Sequence, residues 1–278
     1  MKNNLKIVFF GTPNFAVPVL RLLIESGYNI SAVFAGHGPV SVLAQELKIK
    51  VFQPTSLKRD EQVFEEFKNL KPDICIVAAY GKILPQQYLE VPNYGFLNIH
   101  PSLLPKYRGP SPIQTSILNG DKETGVTIMV VDEEVDHGPV LAEEKYYINE
   151  NKGLIEISNE LFGLGAALLV KTLPGYINGE IKPTEQNHSQ ATFTKMFQRE
   201  GGKINWNEPA EKTYNQIRAL NPEPGTWTTW KERIINIKKA EFLDGKIHIQ
   251  IIQMEGGKEM SLEEFLHGHP DFDISQLT

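Results

Sequence analysis

Residues 5–35 read LKIVFFGTPNFAVPVLRLLIESGYNISAVFA, and the changes of period inside this stretch decide the fold class. Leu5 to Phe10 is a short apolar run that reads as a strand, and Gly11-Thr12-Pro13-Asn14 breaks it. Phe15 to Glu25 then carries Phe15, Val19, Leu22 and Leu23 at helical spacing until Gly27, after which Ile30 to Ala35 returns to strand character. Strand, crossover helix and strand form the repeating unit of a parallel sheet.

The pattern continues downstream. Val40 to Leu47 reads as a helix, Val51-Phe52 as a short strand, and Glu61 to Leu70 as an amphipathic helix with Val63, Phe64, Phe67 and Leu70 on one face. Ile74 to Ala79 is apolar throughout, as a strand covered on both faces should be. Phe96 to Ile99, Val126 to Val131 and Val140 to Tyr146 are further strands, with a short helix over Pro112 to Leu118 and a long one over Leu154 to Asn178. The expectation for residues 1–180 is therefore an α/β domain, a Rossmann-like and mostly parallel sheet with crossover helices. Polar residues without periodicity, among them Pro183, Gln186, Asn187 and His188, read as a linker over 181–202. Residues 203–278 carry a helix at Glu211 to Leu220, a Pro- and Gly-rich turn, three strand-like runs between Thr226 and Met254, and a capping box at Ser261 and Glu264. A small β-barrel of the OB-like kind with a terminal helix fits this tail.

Composition excludes several classes. A net charge of -6 argues against a protein that coats nucleic acid non-specifically, while leaving a local basic patch open. Lys203 to Ala240 is such a patch, with seven basic residues against four acidic ones. The opening residues lack the long apolar region of a signal peptide, and no apolar run reaches the roughly 18 residues of a membrane span, so a cytoplasmic location without membrane contact is expected. Cys75, the lone cysteine, sits inside DICIVAAY and reads as a buried structural thiol. His267 and His269 have no ligand cluster at metal spacing beside them, so no metal is expected. The Gly11 turn lacks the further glycines of a dinucleotide fingerprint.

The strand Phe96 to Ile99 runs into Asn98-Ile99-His100-Pro101. Carboxyl ends of strands in open parallel sheets face the ligand crevice, and alternation puts residues 98 and 100 on one side. An amide donor and an imidazole then converge on one point, which suits acyl transfer, where a tetrahedral oxyanion needs preorganised donors. The turn Val135-Asp136-His137-Gly138-Pro139 offers a carboxylate able to orient His100 and carry a proton. On spacing alone, His100 reads more readily as a strand-end residue bonded to backbone, and Asp136 as ordinary turn chemistry.

The stretch NIHPSLLPKYRGPSPIQTSILNGDKETGVTIMVVDEEVDHGPVL resembles the signature of the folate-dependent formyltransferase family: Asn-x-His, Ser-Leu-Leu-Pro, Arg-Gly, Gly-Val-Thr and an Asp-x-Gly turn, in that order. FFGTPNFAVPVL, VFQPTSL and AAYGKILP are similar to the same family, and INWNEPAEKTYNQIRALNPEPGTW is similar to the C-terminal domain of its members that act on initiator methionyl-tRNA. The resemblance implies transfer of a formyl group from 10-formyltetrahydrofolate to an amine, without metal. It implies Asn98, His100 and Asp136 as the catalytic trio, and Ser102, Leu103, Leu104 and Pro105 as part of the folate site. Arg108, Gly11 and Thr12 fall on the acceptor side. The implied acceptor is initiator methionyl-tRNA, with a nucleotide-linked amino sugar, or a non-catalytic relative that binds tRNA or folate, as alternatives; a monomer is expected. Members acting on tRNA carry a long basic loop after the second strand, whereas here Phe34-Ala35-Gly36-His37-Gly38-Pro39-Val40 passes directly into a helix.

Overall fold

The structure, a computed structural model, describes residues 5–277. It divides into two units, one made of residues 5–110, 124–146 and 158–193, the other of 111–123, 147–157 and 194–277. The second unit thus takes in two segments that the reading by composition assigned to the first.

The first unit is built on β1 (Lys6–Gly11), α1 (Val17–Glu25), β2 (Asn29–Phe34), α2 (Pro39–Glu46), β3 (Val51–Phe52), α3 (Glu61–Leu70), β4 (Ile74–Ala78), α4 (Gln86–Leu89) and β5 (Phe96–His100). The short α5 (Pro112–Leu118) belongs to the second unit. β6 (Glu123–Val130), β7 (Val140–Tyr147) and α6 (Leu154–Ile177) complete the α/β part of the chain. The seven strands lie in the order β3-β2-β1-β4-β5-β6-β7. Every pairing from β3 to β5 is parallel, and β6 runs antiparallel to β5. This is the mostly parallel, Rossmann-like arrangement expected.

β4 is buried at every residue, which explains its unbroken apolar sequence. One side of the sheet is filled by aromatic rings. Phe10 stacks on Phe34 at 4.6 Å, and Phe67 of α3 stacks on Tyr88 at 4.9 Å. α3 is fixed at its start by Asp60, whose carboxylate accepts from the Val63 N–H, and ends at Lys71 in the left-handed conformation. On α6, a Cβ at Gly165 would lie 2.5 Å from the Ile99 side chain, so a larger residue there would push the helix off the strand that carries Asn98 and His100.

The second unit adds α7 (Ala210–Leu220), β8 (Thr226–Trp230), β9 (Arg233–Leu243), β10 (Lys246–Met254), β11 (Met260–Ser261) and α8 (Leu262–Gly268). Its four strands form an antiparallel sheet in the order β11-β10-β9-β8. Tyr214 and Ile217 of α7 are buried in the same cluster as Ile235 and Ile237 of β9. Asp244 and Gly245, both at positive φ, form the two-residue turn between β9 and β10. At α8 the expected capping box is formed in full, Ser261 accepting from the Glu264 N–H and Glu264 from the Ser261 N–H.

The 181–202 stretch behaves differently from a free linker. Val140 and Thr184 exchange backbone hydrogen bonds of 2.8 Å in both directions, and the Arg108 N–H donates to the Thr192 carbonyl at 2.8 Å. Its first half is therefore a strap laid along the first unit.

Candidate active site

The strand order changes direction where β1 lies beside β4, and ligands of open α/β sheets bind outside the carboxyl ends of the strands at such a point. Gly11 ends β1, Ala78 ends β4 and His100 ends β5 there. Gly11 has a packing reason to be glycine, because a Cβ would come within 2.8 Å of the Ala78 carbonyl oxygen. The Thr12 hydroxyl accepts from the Gly36 N–H at 3.0 Å, so Thr12 fastens the short 36–38 turn.

Asn98, His100 and Asp136 come together. The Asp136 Oδ1 lies 3.4 Å from Asn98 Nδ2 and 3.5 Å from His100 Nδ1, while its Oδ2 accepts from the Gly109 N–H at 2.7 Å. His100 Nε2 is 3.0 Å from the Tyr107 carbonyl, which can only accept, so Nε2 carries a hydrogen. Nδ1 is then the nitrogen that faces the carboxylate. The His100 side chain is 4% exposed and that of Asp136 15% exposed, so their mutual field is little screened by water. The long contacts at Oδ1 are of the kind that tighten around a bound reactant.

Asp136 reaches this position through a turn with special backbone requirements. Its φ is +49°, and a Cβ at Gly138 would stand 2.0 Å from the Val130 carbonyl oxygen. Only glycine fits at 138. Beside the turn, His137 Nδ1 bonds the Asp132 carboxylate at 2.7 Å, and its ring stacks on His188 at 4.0 Å.

The Ser102–Pro105 segment is tied to the sheet. Ser102 donates to the Lys106 carbonyl at 2.6 Å, and Thr127 links the segment by accepting from the Leu104 N–H and donating to the Ser102 carbonyl. Leu104 is buried, whereas Leu103 and Pro105 stay partly exposed. Glu143 reaches Thr127 at 3.1 Å, and burial raises its carboxyl above the usual range. In AAYGKILP, Ile83 projects into solvent at 90% exposure while Leu84 packs on the aromatic core.

Arg108 is placed differently from the expectation of an acceptor contact. It is buried, and its guanidinium donates to Gln186 Oε1 through Nε at 3.1 Å and through Nη2 at 2.7 Å, with His188 Nδ1 2.8 Å away. Gln186 in turn donates to the Asp136 and Gly138 carbonyls. Nothing in the sequence marks Gln186, one amide in a polar run. The expected basic face of 203–240 is also thinned. Lys212 pairs with Glu208, Lys238 with Glu259 and Lys231 with Asp271, and Arg218 is buried, bonding the Asn149 and Lys152 carbonyls. Lys203 makes no ion pair among the described residues; it lies over the Trp227 ring at 5.6 Å, with Arg199 at 5.8 Å. Among the described residues there is no group of three or more His, Cys, Asp or Glu fit to hold a metal, and no helix long and apolar enough to cross a membrane.

Fold and site define an α/β enzyme with a polar triad at the carboxyl end of a central strand. Residues 5–173 match the model of the formyl transferase family, and residues 196–248 match that of the formyl transferase C-terminal domain. The chain belongs to the formyl transferase family. It is 38% identical to the methionyl-tRNA formyltransferase of Caldanaerobacter subterraneus subsp. tengcongensis, covering 95% of this chain and 97% of that protein. The alignment spans 300 positions, more than the 278 residues here, so the relative carries stretches with no counterpart in this chain. Among solved structures, HypX from Aquifex aeolicus in complex with tetrahydrofolic acid superposes with a TM-score of 0.72 at 18% identity, over 95% of this chain and 47% of that one. This chain therefore spans about half the length of HypX. An N-formyltransferase from Helicobacter canadensis in complex with folinic acid and dTDP-3-aminofucose gives a TM-score of 0.67 at 22% identity, over 94% of this chain and 99% of that one.

Proposed function

We propose that this chain transfers the formyl group of 10-formyltetrahydrofolate to the amino group of initiator methionyl-tRNA, acting as a cytoplasmic monomer without a metal. The observation that carries formyl transfer is the convergence of Asn98, His100 and Asp136 within 3.5 Å at the end of β5. The acceptor rests on the relative 38% identical over nearly the whole chain.

The amine's lone pair attacks the formyl carbon, forming a carbon–nitrogen bond while the carbonyl oxygen takes up the displaced electron pair. Asn98 Nδ2 and a protonated His100 Nδ1 supply donors to that oxyanion. As the oxyanion collapses, the bond from carbon to the folate nitrogen breaks. The proton lost by the amine is the one gained by the leaving nitrogen, and Asp136 carries it. Leu103 and Pro105 form the exposed apolar wall for the pterin, next to the buried Ser102 and Leu104. Gly11 and Thr12 lie toward the acceptor, whereas the buried Arg108 acts on the site through Gln186.

His100→Ala, Asn98→Ala and Asp136→Asn are each expected to lose at least about a hundredfold in kcat with folding intact. The measurement is formylation of methionyl-tRNA beside an amino-sugar nucleotide. Near-native turnover in any of the three variants would remove that residue from the chemistry. The short 34–40 turn favours a small acceptor as the second reading, and turnover with the sugar nucleotide alone would establish it.

A further inference from the structure

We infer that Gln186, in the polar strap that leads away from the α/β core, is a positioning residue that sets the separation between Asp136 and His100. The inference rests on the assignment of Asp136 to the chemistry.

All the hydrogen-bonding capacity of this amide is turned inward. Gln186 is buried, its Nε2 donates to the Asp136 carbonyl at 2.9 Å and to the Gly138 carbonyl at 2.7 Å, and its Oε1 accepts twice from Arg108. Asp136 sits at positive φ and Gly138 has no room for a side chain, so the turn needs outside support to stay in this shape. The other end of the support is a run of three residues. The Tyr107 carbonyl accepts from His100 Nε2, the Arg108 side chain grips Gln186, and the Gly109 N–H donates to Asp136 Oδ2. One loop thereby holds the imidazole, the carboxylate and, through Gln186, the backbone that carries the carboxylate. The circuit closes, and Gln186 is the link that ties the peptide groups of the 136–138 turn into it.

The decisive variant is Gln186→Glu. Its carboxylate keeps an acceptor for Arg108, as a charge-assisted pair, but has no N–H for the two carbonyls. Kinetics are measured with 10-formyltetrahydrofolate and methionyl-tRNA, beside thermal melts. The expected result is a fall of about tenfold or more in kcat, KM for both reactants within about twofold, and a displaced acid limb in the pH profile of kcat, because a shift of about 1 Å at a reacting group costs up to about a hundredfold. Gln186→Met, which removes donors and acceptor together, should lose as much kcat and melt lower; it decides the matter if the Glu variant does not fold. Native kcat and pH profile in a folded Gln186 variant, while Asp136→Asn is inactive, would overturn the inference alone. So would a raised KM with native kcat, which would make the strap a reactant contact. Native turnover in Asp136→Asn would instead overturn the assignment on which the inference rests.

Discussion

Tyr80 and Tyr88 place their hydroxyls inside the aromatic core of the parallel sheet, and neither has a hydrogen-bond partner among the described residues. Burial is the main reason their phenols are held neutral; it pushes Tyr88 up from 10.0 to about 12, with the Asp60 charge adding to the effect, and Tyr80 higher still. Because the folded value lies above the unfolded one, ionisation of Tyr88 favours the unfolded chain, so the fold keeps its full stability below pH 10 and loses some of it as pH rises from 10 to about 12. Tyr88→Phe is therefore expected to match or exceed the native protein in urea unfolding at neutral pH and to lose less stability at alkaline pH. A penalty above about 1 kcal/mol at neutral pH would mean that the hydroxyl has a partner. Gly138→Ala tests a different strain. Its methyl group would stand on the Val130 carbonyl, so the turn must open, and kcat should fall by about tenfold or more while the unfolding midpoint moves less than a core cavity would move it.

Elements were legible wherever a period repeats. β4 and α3 could be placed because burial on both faces, or on one stripe, leaves a pattern that survives in a single sequence. That Asn98 and His100 share one side of β5 was legible for the same reason; spacing did not tell a reacting histidine from a strand-end one bonded to backbone, and the roles proposed for the pair came from the family resemblance. Gln186 was not legible, because its partners are backbone carbonyls far away in sequence, and such partners put no constraint on neighbouring residue types. The ion pairs that use up Lys212 and Lys238 were equally invisible, as was the burial of Arg218, because a sum of charges records signs and not neighbours. The capping box of α8 was visible in full. Ser261→Ala should destabilise the second unit by about 1 kcal/mol, read as a lower melting midpoint, and Ser261→Gly by less.

On the scale of the whole molecule, the proposed tRNA acceptor is a polyanion, which a chain of net charge -6 has to meet through a restricted surface. Of the seven cations of 203–240, pairing and burial take out Lys212, Lys231, Lys238 and Arg218; Arg233 and Lys239 stay exposed, and Lys203 joins Arg199 beside the Trp227 ring. An aromatic ring with cations beside it can stack a base while those cations meet phosphates. Arg199→Glu together with Lys203→Glu is expected to weaken binding of methionyl-tRNA and flatten its salt dependence by roughly 0.7 to 0.9 for each phosphate that is no longer neutralised, with folate binding unchanged. An unaltered slope would take this patch out of the acceptor surface.

The second unit is assembled from separate stretches of chain, and α5 packs on α7 although β6, β7 and α6 lie between them in sequence. A growing polypeptide emerges from the ribosome at about 5–20 residues per second, so α5 is born seconds before the helix it must meet. During that wait α5, whose Ile113 and Ile117 are buried in the finished protein, lacks the helix it packs on. The nascent chain is thus expected to present a sticky segment there, bound by chaperones in ribosome-arrested products that stop before residue 210 and released from them in those that extend past residue 220.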